Sequence, residues 1–261
     1  MFLKVPKSAG SVGHYGIKIE FFGILNFPGG LKASINFCHL SSSLAAEGKL
    51  DGGEVTEFPF EFRRVEMTHE SYNGRHLQVK YFVKVIVKRG LGDISCSRNI
   101  WVKDYSPVPF TPDPGWSLEV GLEDQLHINF NSPKTRFSIN DKIEGELHFS
   151  LVHLKIKSAD LSLVRREIVA NQITDQEVLH RYQIIDGPPA RYDTIPFRFP
   201  LKNLKDLTPS LKEIEKIGSL LYFVNLIIYD VEGRRYFKQQ EIQLYRDQKQ
   251  ENENGKLHLI Q

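Results

Sequence analysis

"LQVKYFVKVIVK", residues 77–88, decides the fold class. Leu77, Val79, Tyr81, Val83, Val85 and Val87 share one parity, while Gln78, Lys80, Lys84 and Lys88 share the other. Side chains alternate across a strand, so this pattern gives one apolar and one wet face, as in an antiparallel sheet. The same style extends in both directions. "GIKIEFFGIL" (16–25) sets Ile17, Ile19 and Phe21 together, and "FPFEF" (58–62) does so with Phe58, Phe60 and Phe62. Later come "QLHINF", "IEGELHFSLVHLKI", "ADLSLV", "TIPFRFPL" and "LLYFVNLIIYDV". The chain reads as all-β.

Helical signals are few. "TPSLKEIEKIG" (208–218) offers Thr208 as N-cap, Pro209 at the first helical position and Gly218 as a stop, which predicts two turns. "SSSLAAEGKL" (41–50) predicts one or two more. "DYSPVPFTPDPGW" (104–116) is rich in proline and reads as a connector. It divides an amino-terminal lobe, 1–114, from a carboxy-terminal lobe, 115–246. The polar residues 247–261 read as a disordered tail.

The halves resemble each other. "EFPFEF" and "VKYFVKVIV" stand to one another as "TIPFRF" stands to "LLYFVNLII", aligning Pro59 with Pro196 and Tyr81 with Tyr222. This predicts two related β-sandwiches in tandem, against a chance likeness among Val-, Ile- and Phe-rich strands. The second half carries "VGLEDQLHINF" and "RFSINDKIEGELHFSLVHLKI" ahead of its matching strand, where the first has only "MFLKVPKSAGSVGHY". The amino-terminal lobe is therefore expected to be incomplete by one or two strands, through a reduced lobe or a late start.

Composition narrows the function. Of 261 residues, 41% are hydrophobic and 25% charged, which is the globular norm, and a net charge of +2 gives no bulk attraction for nucleic acid. Cys38 and Cys96 form no CxxC and are read as buried thiols of a cytosolic protein. No signal-peptide core or run of ~20 apolar residues is present in the sequence. HExxH, GxSxG, GxxxxGK[ST] and GxGxxG motifs are absent, and no metal or cofactor site is expected. His148 and His153 lie five apart on a strand pattern and face opposite sides. The Arg63-Arg64, Lys88-Arg89, Arg165-Arg166 and Arg234-Arg235 pairs read as solvated faces, with anionic headgroups as the alternative.

Two stretches in the second half invite contact. In "RYQIIDGPPARYD", adjacent Ile184 and Ile185 precede the turn signal Asp186-Gly187-Pro188-Pro189, so one faces the core while the other can face solvent. Core packing of both is the alternative. In "GRRYFKQQEIQLYR" (233–246), Ile242 and Leu244 point inward, which puts Tyr236 on the core side and Phe237 opposite. A bulge at or after Gly233 is the alternative that would turn Phe237 inward.

"HYGIKIEFFG", "ESYNGRHLQVKYFVKVIVKR", "EVGLEDQLHINF", "YQIIDGPPARYDTIPFRF" and "YDVEGRRYFKQQEIQLYR" together resemble the vacuolar protein sorting-associated protein 26 family, the arrestin-like subunit of retromer. The resemblance runs from about residue 14 to 246, in order. It implies a non-catalytic, cytosolic, two-lobed arrestin-like fold, peripheral on endosomes. It also implies docking onto the α-solenoid subunit, vacuolar protein sorting-associated protein 35, through Ile184, Ile185, Asp186 and Gly187. A sorting nexin and the cytosolic tails of membrane cargo would then meet Arg235, Tyr236, Phe237, Lys238 and Gln239. Family members begin with further amino-terminal strands, and "NFPGGLKASINFCHLSSSLAAEGKLDGGEVTEFPF" departs from the family's acidic, helix-containing segment. An arrestin-clan adaptor outside retromer and a β-sandwich enzyme or lectin are the competing readings.

Overall fold

The computed structural model describes residues 1–30, 34–63, 65, 69–105 and 111–247. By contacts the chain divides into one unit, Met1–Lys103, and a second that starts at Asp104.

In the first unit the strands are β1 (Phe2–Lys4), β2 (Val12–His14), β3 (Gly16–Asn26), β4 (Ile35–Ala45), β5 (Gly48–Leu50), β6 (Val55–Glu57), β7 (Tyr72–Asn73), β8 (Gln78–Lys88) and β9 (Ile94–Ile100). The main sheet runs β4-β3-β8, with β7 and β9 both on β8. β3 and β8 pair without a shift from Gly16↔Lys88 to Asn26↔Gln78, which aligns their apolar parities. Ile17, Ile19, Phe21, Leu25, Val79 and Tyr81 are consequently buried. Two ribbons, β1–β6 and β2–β5, are not strand-paired with this sheet. Leu3, Val5, Leu50 and Phe58 pack onto Ile17 and Val87 at one end.

In the second unit the strands are β10 (Trp116–Leu122), β11 (Leu126–Ser132), β12 (Arg136–Ser138), β13 (Lys142–Val152), β14 (Ile156–Val169), β15 (Gln172–Asp186), β16 (Thr194–Pro200), β17 (Leu211–Ile214), β18 (Gly218–Asp230) and β19 (Arg235–Tyr245). One sheet is β10-β11-β13-β16, and the other is β12-β19-β18-β14-β15 with β17 on β18. Ile128, Phe130, Leu147, Phe149 and Phe199 of the first are buried, as are Leu161, Leu163, Tyr222, Leu226 and Ile242 of the second. Phe199 meets the His180 and Tyr182 rings at 5.2 and 5.5 Å, so the sheets pack face to face. The protein is an all-β chain of the sandwich class.

The internal repeat has a topological counterpart: β4-β3-β8-β9 and β15-β14-β18-β19 share one strand order. Tyr81 and Tyr222 both lie buried on the third of these strands. The Tyr81 hydroxyl donates to the His69 carbonyl at 2.7 Å, and that of Tyr222 lies 3.2 Å from Thr208 Oγ1.

Several expectations fail locally. Residues 208–218 form no helix; Leu211 pairs with Leu220 and Ile214 with Gly218, giving partners to the part of β18 that β19 does not reach. Glu213, Glu215 and Lys216 take positive φ, and Thr208 turns to Tyr222 rather than capping. Residues 41–50 form no helix either, because Ser41 to Ala45 satisfy the edge of β3 and a turn leads into β5. "FPFEF" is not a strand; β6 ends at Glu57, and Phe60 is exposed. Cys38 is half-buried and Cys96 exposed, not two buried thiols. The connector's end is tied to the second unit. Asp113 Oδ1 accepts from the Gly115 and Thr135 N–H groups and Thr135 Oγ1, and Oδ2 accepts from the Arg136 N–H. Past Asp247 the expected tail lies outside the described residues.

Candidate functional site

β19 pairs with β18 from Tyr229↔Arg235 to Tyr222↔Ile242 with no shift in register. With no bulge, parity sets the face from which each side chain leaves, although Lys238, on the parity of Tyr236 and Ile242, still reaches solvent. Ile242 and Leu244 are buried, Tyr236 lies opposite buried Ile228 and is half-buried, and Phe237 pairs with Ile227 and is 51% exposed. Arg235 and Lys238 are exposed and Gln239 is half-buried. The far edge of β19 pairs with β12 only at Gln243, Leu244 and Tyr245. From Arg235 to Ile242 that edge has no strand partner among the described residues.

The turn between β18 and β19 is held by one carboxylate. Asp230 Oδ1 accepts from the Glu232 and Arg234 N–H groups, and Oδ2 accepts from Arg234 Nε and the Tyr236 hydroxyl. Burial pushes the Asp230 pKa up, but the bonds from Arg234 and Tyr236 outweigh burial and hold it below the ordinary carboxylate range. Nothing in "DVEG" as a sequence announces four bonds to one side chain.

The other stretch ends β15. Ala159 pairs with Ile185 and Asp160 with Gln183, so Ile184 is the extra residue of a bulge. Ile185 is buried at 7% exposure while Ile184 is half-buried, so only Ile184 is open to a partner. Asp186 is exposed, and Gly187 adopts φ +90° with its N–H donating to the Lys157 carbonyl at 2.8 Å. A side chain at Gly187 would meet no atom within 4 Å but would strain the turn.

The fold brings the two stretches to one end of one sheet. Ile185, Ala159, Ile228 and Tyr236 form a continuous row across β15, β14, β18 and β19. Three strand spacings separate its ends, about 14 Å. One edge of this sheet thus offers Ile184 and the Asp186 turn, and the other offers Phe237 beside an unpaired backbone.

The basic pairs resolve singly. Arg165 pairs with Glu177 at 2.5 Å and Arg234 with Asp230 and Glu232, each at 2.7 Å. Arg63 pairs with Glu61, while Arg64 lies outside the described residues. His148 bonds to Thr194 Oγ1 and His153 to the Asp124 carbonyl, so each histidine has its own partner. Among the described residues no three His, Cys, Asp or Glu gather in metal-binding geometry, and no helix is long and apolar enough to cross a membrane.

By its fold the chain is a tandem β-sandwich protein, with a stretch of sheet edge that has no strand partner among the described residues and an exposed aromatic, Phe237, on it. The family model for vacuolar protein sorting-associated protein 26 matches residues 2–233. Vacuolar protein sorting-associated protein 26B of Danio rerio is 37% identical over 236 residues, covering 89% of this chain and 70% of that protein. The Caenorhabditis elegans protein 26 is 37% identical, with 89% of this chain and 65% of its own length covered. Protein 26B of Arabidopsis thaliana is 38% identical, with 92% and 80% covered. The chain belongs to the vacuolar protein sorting-associated protein 26 family, and its role is in vacuolar and endosomal protein sorting.

Proposed function

We propose that the chain is a non-catalytic adaptor subunit of retromer, working in the cytoplasm on the surface of endosomes. Its β15 end, with Ile184, Asp186 and Gly187, docks onto the α-solenoid subunit, vacuolar protein sorting-associated protein 35. A cargo tail adds as a strand to the open edge of β19, beside the bound sorting nexin, and seats an apolar side chain against Phe237. Ile185 supports the docking turn from within the core.

The observation that carries this reading is the edge from Arg235 to Ile242, which has no strand partner among the described residues and bears an exposed phenylalanine. Strand addition draws affinity from backbone hydrogen bonds and specificity from alternate side-chain pockets. The test is capture of partners from cytosol by the tagged chain, followed by peptide identification. Recovery of the solenoid by the parent, and its loss with Ile184→Asp, is the expected pattern. A folded chain that never recovers the solenoid defeats the proposal.

A further inference from the structure

Arg166 is the one member of the Arg165-Arg166 pair that meets no carboxylate among the described residues. Its side chain leaves β14, passes over the Phe223 ring on β18 with Cζ 4.3 Å from the centroid, and reaches β19. Nε donates to Gln176 Oε1 at 2.7 Å and Nη2 to Gln239 Oε1 at 2.9 Å. Both partners are neutral amides, and two of five guanidinium N–H donors are used. The nearby acid on β19, Glu241, is engaged with Lys212 at 2.7 Å. Partial burial costs this cation hydration without a compensating charge, and its pKa is lowered for that reason.

A second observation lies beneath it. Asn225 on β18 is the cross-strand neighbour of Gln239, is 7% exposed, and its Oδ1 has no hydrogen-bond partner among the described residues. A buried acceptor left unpaired is costly. Gln239 sits between the two defects, with its carbonyl spent on Arg166. If an incoming carboxylate took over Arg166, Gln239 could turn its amide and donate Nε2–H to Asn225 Oδ1. One ligand group would then neutralise the cation and release the Gln239 amide to turn its N–H toward the orphaned acceptor.

We propose that Arg166 selects an acidic side chain on an extended segment added along β19, two positions from the apolar side chain seated beside Phe237. This rests on the strand-addition reading above. Gln239 and Phe237 share a face of β19, so residues opposite them in an added strand also share that face, with Cβ atoms about 4.5–5.5 Å away. A glutamate opposite Gln239 therefore points toward the guanidinium, where a paired Arg–carboxylate bond is the strong form of the interaction. An antiparallel guest would carry Glu-x-Leu and a parallel guest Leu-x-Glu.

Fluorescence-anisotropy titration of the full chain with labelled Thr-Val-Thr-Glu-Thr-Leu-Thr-Val-Thr, its Gln twin, and the same pair with Glu and Leu exchanged tests this. In one of the two orders the Glu peptide should bind about tenfold tighter than its twin, an effect of roughly 1.4 kcal/mol, and added salt should shrink the gap. Arg166→Gln should abolish the gap while keeping the Gln twin's affinity at the parental value, which also reports an intact fold. Phe237→Ala should weaken both twins by the same factor. Equal binding of Glu and Gln twins, both still sensitive to Phe237→Ala, overturns the role of Arg166 and leaves strand addition standing. No binding by any peptide, or binding indifferent to Phe237→Ala, removes strand addition and this inference with it.

Discussion

The Tyr236 hydroxyl donates to Asp230 Oδ2 at 3.1 Å across the turn that joins β18 to β19. Arg234 Nε reaches the same oxygen at 2.7 Å, and the Asp230 side chain is 2% exposed. The turn therefore fixes where β19 begins, and with it the parity that leaves Phe237 outside the core. A carboxylate whose folded pKa lies below its unfolded value of ~3.9 contributes its stability above that value. That contribution is lost as pH falls through the folded pKa. Asp230→Asn should accordingly melt below the parent at pH 6, with the gap narrowing at pH 3. A gap equally wide at both pH values would show that charge has no part in holding the turn.

Phe237 and Ile242 make a matched pair on one strand, 51% and 2% exposed. Ile242→Ala empties a core position and should cost ~2–5 kcal/mol in denaturant unfolding. Phe237→Ala should fall within ~0.5 kcal/mol of the parent, as surface changes do, while weakening guests on the β19 edge. Equal destabilisation by the two changes would place Phe237 in the core.

The adjacent isoleucines separate docking from folding. Ile184→Asp, at the bulge, should leave the melting transition near that of the parent and abolish co-purification with the solenoid subunit. Ile185→Ala should instead lower stability by ~2–5 kcal/mol, because Ile185 is 7% exposed. A folded Ile184→Asp chain that still co-purifies at parental yield would move the docking contact elsewhere.

The long strands were legible because alternation coincides with burial over part of their length: Val79, Tyr81 and Val87 lie inward in β8 as their parity predicts, whereas Val83 and Val85 are only half-buried and Ile86, on the other parity, is buried. Phe237 was legible for the same reason, since no bulge interrupts β19. Residues 208–218 were not, because the Leu211 to Ile214 spacing suits a helix turn as well as an irregular strand. The unpaired start of β18 decides between them, and that demand is tertiary. Arg166 was visible only as half of a basic pair. Its distinction from Arg165 depends on which strands lie beside β14, since Glu177 meets one arginine and neutral Gln176 and Gln239 the other.

Asp113 ties the end of the connector to the start of β12 through one side chain. It lies near the end of the proline-rich stretch and accepts four hydrogen bonds, from the Gly115, Thr135 and Arg136 N–H groups and from Thr135 Oγ1, at 2.7 to 3.1 Å. Burial raises its pKa, but the bonds from Thr135, Arg136 and Gly115 outweigh burial and leave it lowered. Arg136 opens β12, the strand that runs parallel to the end of β19. Loss of the carboxylate would therefore loosen both the connector and the short strand that closes the edge of β19 beyond Ile242. Asp113→Ala should cost about 1–3 kcal/mol and speed amide hydrogen exchange at Thr135 and Arg136, whose N–H groups would lose their acceptor. Exchange at Ile227 and Leu226, in the middle of β18, should stay slow, because local opening of the connector does not require the sheet to open. Uniformly faster exchange across β18 and β19 would instead mean that Asp113 holds the whole unit together.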